Sequence, residues 1–524
     1  MHNLLIQLKL FIFNNYKPFE ITHRVYFLIG VAFIIQTITP IKLNAQIRFN
    51  DNYPFSNSLN QATNILALND GYVLIEQIDD FDSLNTGIGV RKIDFLGNEL
   101  WVKKIFRKKA LLYAGFSNSC QMVNGNELII SSGFIDTLNY EQRAQGSILA
   151  INLNGDSLWQ RTYGGTWKDG FYSSLLDIDG NLVSVGFYHT SASTYDAWAV
   201  KTDTLGNVIW DKKFGGINGD VFSSVVQAPD GGYYLIGGSD SFNSLSDVYL
   251  VKVDINGNLL WQKTFSTPLA DGANGCLFAS NKLYIAGTSF SNFPSSQLTD
   301  GLLLISDLDG NQISSKIIGE PTKSNTFRTN PIALTNGDIV VAGENNFHPI
   351  NSVPWGWLYK FNQDGDSIWA RTYSNNRNAP NYIYDLKTTN DGGFIMAGTT
   401  IDSLGGIGAQ NSWVLKLDEY GCEVENCQLY DAVEKVEKKI VQLSASPNPF
   451  NNQTIINYTL QENTKAELLV LEMSTGKVIK RAQVIGDTTQ SYLLNNEGLT
   501  PGVYAIQLLI NSQLINAIKV VYIQ

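Results

Sequence analysis

Two stretches of this chain bring together side chains that could hold a ligand. His348, Trp355 and Trp357 lie in NNFHPINSVPWGW, and His189, Tyr195 and Trp198 in YHTSASTYDAW. Aromatic rings with a polar tip can stack on a ring-shaped ligand. Each set is therefore a candidate ligand-binding site, with packing inside its own loop as the competing role. Cys422 and Cys427 sit five apart in GCEVENC. In an oxidising compartment they form a disulfide; two free thiols or part of a metal site are the alternatives, and no nearby His or Cys completes a metal set. Cys120 and Cys276 fall in or near strands and read as small buried apolar residues. Asp177-Ile178-Asp179-Gly180-Asn181 and Asp307-Leu308-Asp309-Gly310-Asn311 place oxygens at alternate positions, as calcium loops do, but lack the downstream acidic ligand. Turn chemistry explains them, because Asp and Asn bond to their own turn backbone. No metal and no cofactor is assigned. No G-x-S-x-G, H-E-x-x-H or phosphate-binding loop is present, so no residue is assigned as catalytic, and the reading leans away from an enzyme without deciding it. A pair of carboxylates acting on a glycoside stays open, since such pairs have no fixed spacing.

The elements that would position these residues are repeated. Turn glycines recur at Gly97, Gly155, Gly206, Gly257, Gly310, Gly365 and Gly421, at intervals of 51–58 residues. Most are followed by a pattern such as Trp159-Arg161-Tyr163, Trp210-Lys212-Phe214, Trp261-Lys263-Phe265 or Trp369-Arg371-Tyr373. Upstream stands a second signature, as in DGGYYLIGG and DGGFIMAGT. In the fourth copy the strands are expected at Ser223–Ala228, Tyr233–Gly237, Val248–Asp254 and Leu259–Phe265. Four short strands per unit, with Gly/Asn/Asp turns, predict antiparallel blades of a β-propeller. Seven units predict seven blades in a closed ring. The seventh lacks the strand after its turn, and QIRFNDNY (46–53) precedes the first unit with no partner. That segment is expected to be the outer strand of the seventh blade. The Trp-x-Lys-x-Phe stripe lies on one face of its strand, and its repetition favours a structural role. The long, variable loops between second and third strands are where binding is expected.

Composition bounds the rest. Charged residues are 16% of 524 and the net charge is −11, against ~25% charged in typical domains. Nucleic acid is excluded as a partner, because phosphate contacts need a Lys/Arg surplus. At the N-terminus, His23-Arg24 precedes the apolar run Val25–Ile35, and Leu43-Asn44-Ala45 follows. This pattern reads as a secretory signal peptide over residues 1–45, too short in its apolar core to span a membrane.

The propeller is expected over residues 46–428 and a charged linker over 429–443, with DAVEKVEKK at its centre. Residues 444–524 form a different module, with short strands that suit a small β-sandwich. Its Pro447-Asn448-Pro449-Phe450, Gly476-Lys477-Val478, the run Leu499 to Tyr504 with Pro501 and Gly502, and the strand containing Lys519 resemble the type IX secretion C-terminal sorting domain (type A) of Bacteroidetes. The propeller copies are similar to repeats common in secreted proteins of those bacteria. The resemblance implies export across both membranes, an encounter with the type IX secretion machinery, removal of the tail, and release or attachment at the cell surface. Asp-Ser/Thr-Leu/Ile triplets, such as Asp156-Ser157-Leu158, Asp203-Thr204-Leu205 and Asp366-Ser367-Ile368, resemble the O-glycosylation acceptor of the same bacteria.

Taken together, an all-β chain is expected: a seven-bladed propeller followed by an Ig-like sorting sandwich. It reads as a secreted or surface monomer that binds an extracellular polymer, glycan or protein. A carbohydrate-active or other hydrolytic enzyme and a structural or adhesion component are the alternatives.

Overall fold

The computed structural model describes residues 46–524, apart from 428–442 and shorter loop segments, the longest being 137–143, 292–297, 347–352 and 402–409. The expected signal peptide over 1–45 and most of the expected linker therefore lie outside the described residues, as do His348 and Gly476.

Every element described is a strand or a turn. Among the described residues, seven sheets follow one another along the chain, spanning 58–105, 110–163, 169–214, 220–265, 271–318 and 325–373, then 381–417. Within each, successive strands pair antiparallel. The fourth sheet shows how sequence becomes element. Asp220–Gln227, Tyr233–Ser239, Asp247–Val253 and Leu259–Phe265 are joined in order, with the first strand starting three residues before its expected position. All seven residues of Asp247–Val253 are buried, because neighbouring sheets cover both faces. At the turn that follows, Asp254 Oδ1 accepts from the Asn256 and Asn258 amides at 2.9 and 2.8 Å. Gly257 takes φ +74° there, a conformation that costs an L-residue about 1–2 kcal/mol.

Each sheet packs on the next through its own apolar cluster. Phe222, Tyr233 and Tyr249 of the fourth sheet join Val183, Val185 and Trp210 of the third. Tyr72 and Leu74 of the first join Ile395, Ala397 and Val414 of the seventh. The sheets thus form a closed ring, a β-propeller. The first strands line its axis. Their side chains even bond across an intervening sheet: Ser224 Oγ donates to Asn330 Oδ1 at 2.7 Å, and Lys387 Nζ to Asn118 Oδ1 at 3.0 Å.

Closure uses the N-terminal segment. Phe49–Tyr53 pairs antiparallel with Gln410–Leu417, in register from Phe49↔Lys416 to Tyr53↔Ser412. It takes the place of the missing fourth strand of the seventh sheet. Arg48 Nη2 meets Asp418 at 2.8 Å, and Trp413 Nε1 donates to Asn50 Oδ1 at 2.6 Å.

The described part of residues 443–524 is a sandwich of a three-stranded sheet (Leu443–Ser446, Gln453–Tyr458, Gln490–Asn495) and a four-stranded one (Val478–Ile485, Lys465–Glu472, Gly502–Ile510, Gln513–Tyr522). Ile456, Tyr458 and Leu494 from the first meet Leu468, Val470, Ile506 and Val520 from the second in one core. Leu443–Ser446 is a strand that the sequence pattern did not mark.

Candidate functional site

The innermost strands contain a local irregularity that recurs around the ring, as does another where third and fourth strands meet. In the first, third, fourth, fifth and seventh sheets the register slips by one residue, at Thr63, Tyr172, Ser223, Asn274 and Tyr384. In the sixth sheet the strand breaks between Asn325–Phe327 and Ile332–Ala333, and Arg328 stands just inside the break. A bulge leaves one residue unpaired and re-aims its side chain. These positions ring the axis, so what occupies them decides what the axial space can do.

Three of them bond to the backbone around them. Ser223 Oγ donates to Ala273 O of the next sheet at 2.6 Å, and Asn274 Nδ2 to Phe327 O at 2.7 Å. Thr63 Oγ1 donates to Ile75 O at 3.3 Å. Tyr172 packs against Phe187, with centroids 5.4 Å apart. Arg328 and Tyr384 are different. Like Tyr172 they are large and retain exposure, but they stand on adjacent sheets, close enough for the guanidinium to act on the phenol.

Glu344, on the second strand of the sixth sheet, fixes the arginine. Arg328 Nε lies 2.6 and 2.5 Å from the two Glu344 oxygens, and Nη2 lies 2.5 Å from Oε1. The Glu344 side chain is 10% exposed and that of Arg328 42%. Burial raises the Glu344 pKa, with Arg328 opposing the rise. Burial works against the guanidinium charge too, but Glu344 outweighs it and holds Arg328 above its ordinary value. Tyr382 and Tyr384, alternate residues of Asn381–Thr388, complete the group. Their rings are parallel within 6° with centroids 6.4 Å apart. Burial raises both phenol pKa values; Glu344 pushes the same way and Arg328 the other. The arrangement is a preorganised guanidinium beside a two-ring aromatic ladder.

The sequence-derived sets fare differently. Trp357 belongs to the core: it is 4% exposed and stacks on Phe327 with centroids 4.9 Å apart. Trp198 is fully buried, stacked on Phe171 at 4.5 Å, with its Nε1 donating to Asp211 at 3.0 Å. Neither ring can meet a ligand, which corrects both assignments. The reason is that third strands are covered on both faces. Gly146 on the adjoining sheet leaves the space that Trp198 fills, since a Cβ there would lie 2.8 Å from the indole. Trp355 is half-buried at the start of Trp355–Phe361. His189 and Tyr195 do come together, as facing residues of one hairpin with ring centroids 5.2 Å apart. His189 Nδ1 lies 3.2 Å from Ser191 O.

The other marked residues have structural partners. Asp177 Oδ1 accepts two turn amides, from Asp179 and Asn181, while Oδ2 meets Tyr233 Oη at 2.7 Å and Lys201 Nζ at 2.8 Å. Asp307 is bonded to the amides of Asp309 and Asn311. Among the triplets, Ser157 Oγ accepts from Arg107 at 2.9 Å, and Ser367 Oγ pairs with Tyr359 Oη at 2.6 Å. Cys422 and Cys427 are joined by a disulfide; Cys120 and Cys276 are free and buried. Around the ring, Asp169, Asp220 and Asp271 open their strands and accept from the amides of Gly165, Gly216 and Thr267 at 2.6–2.8 Å. The sequence reading passed over this aspartate, although it follows a Gly-Gly pair at fixed spacing in two copies.

In the tail, the segments singled out from opposite ends of the module meet. Asn448 Nδ2 donates to Lys519 O at 2.7 Å, and its Oδ1 accepts from the Val521 amide at 2.9 Å. Thr454 Oγ1 donates to Pro447 O, and Pro449 leads into Phe450, whose amide donates to Val521 O. Beyond Pro501 and Gly502, the Tyr504 hydroxyl donates to Thr500 O at 2.6 Å.

Residues 444–524 match the secretion system C-terminal sorting domain. The chain is thus a β-propeller joined to a sorting tail, and such a tail directs export to the cell surface or the extracellular space through the secretion machinery. Among solved structures, the chain is similar to an acylaminoacyl peptidase of Pyrococcus horikoshii at 11% identity and TM-score 0.36, over 77% of this chain and 58% of that one. It is also similar to the β-propeller domain of the Trilobed protease from Pyrococcus furiosus, at 10% identity and TM-score 0.38, over 68% and 93%. A Synechocystis apocarotenoid oxygenase variant gives 10% identity and TM-score 0.37, over 71% and 94%. This chain spans little more than half the length of that peptidase, and likenesses of this size say nothing of activity. No curated protein matches it in sequence.

Proposed function

We propose that the exported propeller is a binding protein for an extracellular ligand, and that its recognition point is the axial group Arg328, Tyr382 and Tyr384. One observation carries the reading. A half-exposed arginine is locked by a buried glutamate at the break of one innermost strand, beside aromatics at the bulge of the next. Three of the equivalent positions elsewhere hold Thr63, Ser223 and Asn274, small residues bonded to backbone, and the fourth holds Tyr172, packed on Phe187 with no guanidinium assigned beside it. Prior fixation of a side chain lowers the ordering cost of binding. No pair of carboxylates faces a shared space in this group, so binding without turnover is the favoured reading.

The test screens residues 46–524 on glycan and extracellular-protein arrays while following turnover on the same panel. A ligand is expected that is retained by the native chain and weakened about tenfold or more by Tyr384→Ala, as for loss of an aromatic contact. A ligand indifferent to Tyr384→Ala and Arg328→Ala would remove the site. Turnover of the ligand would replace the binder with a hydrolytic enzyme, and silence on every array would leave a structural surface role.

A further inference from the structure

The chemistry of the ligand can be narrowed from the way Arg328 is held. A guanidinium has five N–H donors, arranged as forks that each match a carboxylate. Glu344 occupies the fork made by Nε and Nη2. The second fork, from Nη1 and the outer N–H of Nη2, makes no hydrogen bond among the described residues, and the side chain is 42% exposed. Glu344 therefore cancels the charge of the pair without covering the arginine. It also fixes the plane of the open fork, which a flexible exposed arginine could not do.

Near Arg328 stand Tyr382 and Tyr384, parallel on alternate residues of one strand and close enough to feel the guanidinium charge. A ladder of half-buried rings with polar tips suits a ligand unit that has an apolar face and a hydroxylated rim. The surroundings limit its charge. The pair is neutral as a whole, and the protein carries −11, so a densely charged polyanion is repelled at a distance. One fork accepts one carboxylate.

Resting on the binding reading above, we infer that the axial site takes an acidic sugar unit within a largely neutral glycan. Its carboxylate lies in the open fork of Arg328, and its ring lies against Tyr384 and Tyr382. No bond is made or broken; carboxylate and guanidinium both stay ionised. A peptide carboxylate is the competing ligand, but it offers the tyrosine ladder no hydroxylated ring.

Calorimetric titration of residues 46–524 separates the possibilities. The probes are a neutral-backbone oligosaccharide bearing one uronate, the same oligosaccharide with that carboxyl reduced to the alcohol, and a short glutamate-containing peptide. The uronate form should bind about ten- to one-hundredfold more tightly than the reduced form, the range of a charged bidentate contact. Arg328→Gln should bring the two sugars to the same affinity. Because Arg328→Gln strands Glu344, the double variant Arg328→Gln/Glu344→Gln is the control that keeps the pair neutral, and it should give the same levelling. Tyr384→Ala should weaken both sugars. Equal binding of both sugars by the native chain, still lost in Tyr384→Ala, would overturn the carboxylate inference and keep the binding site. Preference for the peptide would overturn the sugar class. Failure of all three probes, while the arrays return a ligand sensitive to Tyr384→Ala, would also overturn the inference alone. Failure of the arrays as well would overturn both.

Discussion

Arg91 shows how much one buried charge holds at this end of the ring. Its Nε lies 3.1 Å from Glu76, and the two side chains are 2% and 0% exposed. Asn60 adds a donor to Glu76 at 3.1 Å, and the guanidinium also pairs with Glu99. Its carbon lies 4.5 Å from the Phe55 ring centroid. Burial raises the Glu76 pKa, with Arg91 the main opposing influence. Arg91→Met removes that opposition and leaves a buried carboxylate with only neutral donors, among them Asn60 and Ser412. The variant should lose about 3–5 kcal/mol, the usual cost of stranding one partner of a buried pair. Its pH dependence has a definite sign. Glu76 in the folded variant then binds its proton more tightly than in the unfolded chain. Stability is retained at low pH and falls as pH rises through the raised folded pKa. Chemical denaturation from pH 4 to 8 checks this; a variant whose deficit stays constant across that range would show that Glu76 does not stay buried. None of this was legible in the sequence, where Glu76 and Arg91 are two charges in adjacent strands. Trp198 and Trp357 misled for a related reason. They follow polar loops, and only the neighbouring sheets decide that their strands are covered on both faces.

At the scale of elements, two patterns read separately in the sequence prove to be one contact. Most turn glycines lie on the outer-strand aromatic of the preceding sheet; Gly365, which follows an outer strand without aromatics, lies on Ile305 instead. A Cβ on Gly257 would come 2.9 Å from Trp210, on Gly310 2.7 Å from Trp261, and on Gly421 2.8 Å from Trp369. Tyr163 and Tyr373 then donate to the carbonyls of Gly206 and Gly421 at 2.8 and 2.7 Å. The Trp-x-Lys-x-Phe stripe is therefore the socket for the next turn, with Lys263 and Arg371 also lying over Trp261 and Trp369 at 5.4 and 5.2 Å. Strand positions and turns were legible because their period and Gly/Asn chemistry are local. The bulges were not, because an unpaired residue is defined only against its partner strand; Arg328 and Tyr384 therefore passed unmarked. A paired comparison tests the socket. Gly257 and Gly180 have nearly equal φ, +74° and +78°, but nothing lies within 4 Å of a Cβ on Gly180. Gly180→Ala should cost only the backbone penalty of about 1–2 kcal/mol. Gly257→Ala should cost about 1–3 kcal/mol more, as overpacking does. Equal losses in urea denaturation would mean that the indole simply moves aside.

For the whole molecule, the question is what keeps seven sheets from opening. The socket pattern is part of the answer, because it continues across the junction of the first and seventh sheets. A Cβ on Gly97, the turn glycine of the first sheet, would lie 3.1 Å from Phe49, and Tyr53 donates to Gly97 O at 2.7 Å. Phe49 and Tyr53 thus stand where Trp and Tyr stand in other sheets, supplied by a segment more than 300 residues away in sequence from the strand it joins. The far end is fastened as well. Asp418, 2% exposed, accepts Arg48, and Asn50 donates to Glu423 at 2.5 Å, next to the Cys422–Cys427 disulfide. Removing residues 46–56 would strip one strand, one buried ion pair and one socket at once, and would expose the backbone of Gln410–Leu417 as an open edge. The truncated chain should melt several degrees below the native chain, given the worth of a buried pair and the relation between free energy and midpoint in a ring of this size. The loss should also be reversible in trans. A peptide of residues 46–56 binds only the folded ring, so a hundredfold excess over its dissociation constant should return about 2.7 kcal/mol. A peptide with Phe49 and Tyr53 replaced by alanine should return far less. An unchanged melting curve after truncation would mean that contacts between the first and seventh sheets close the ring without the strand. Failure of the peptide to restore the midpoint would place the loss in the truncated chain's own misfolding rather than in the missing edge.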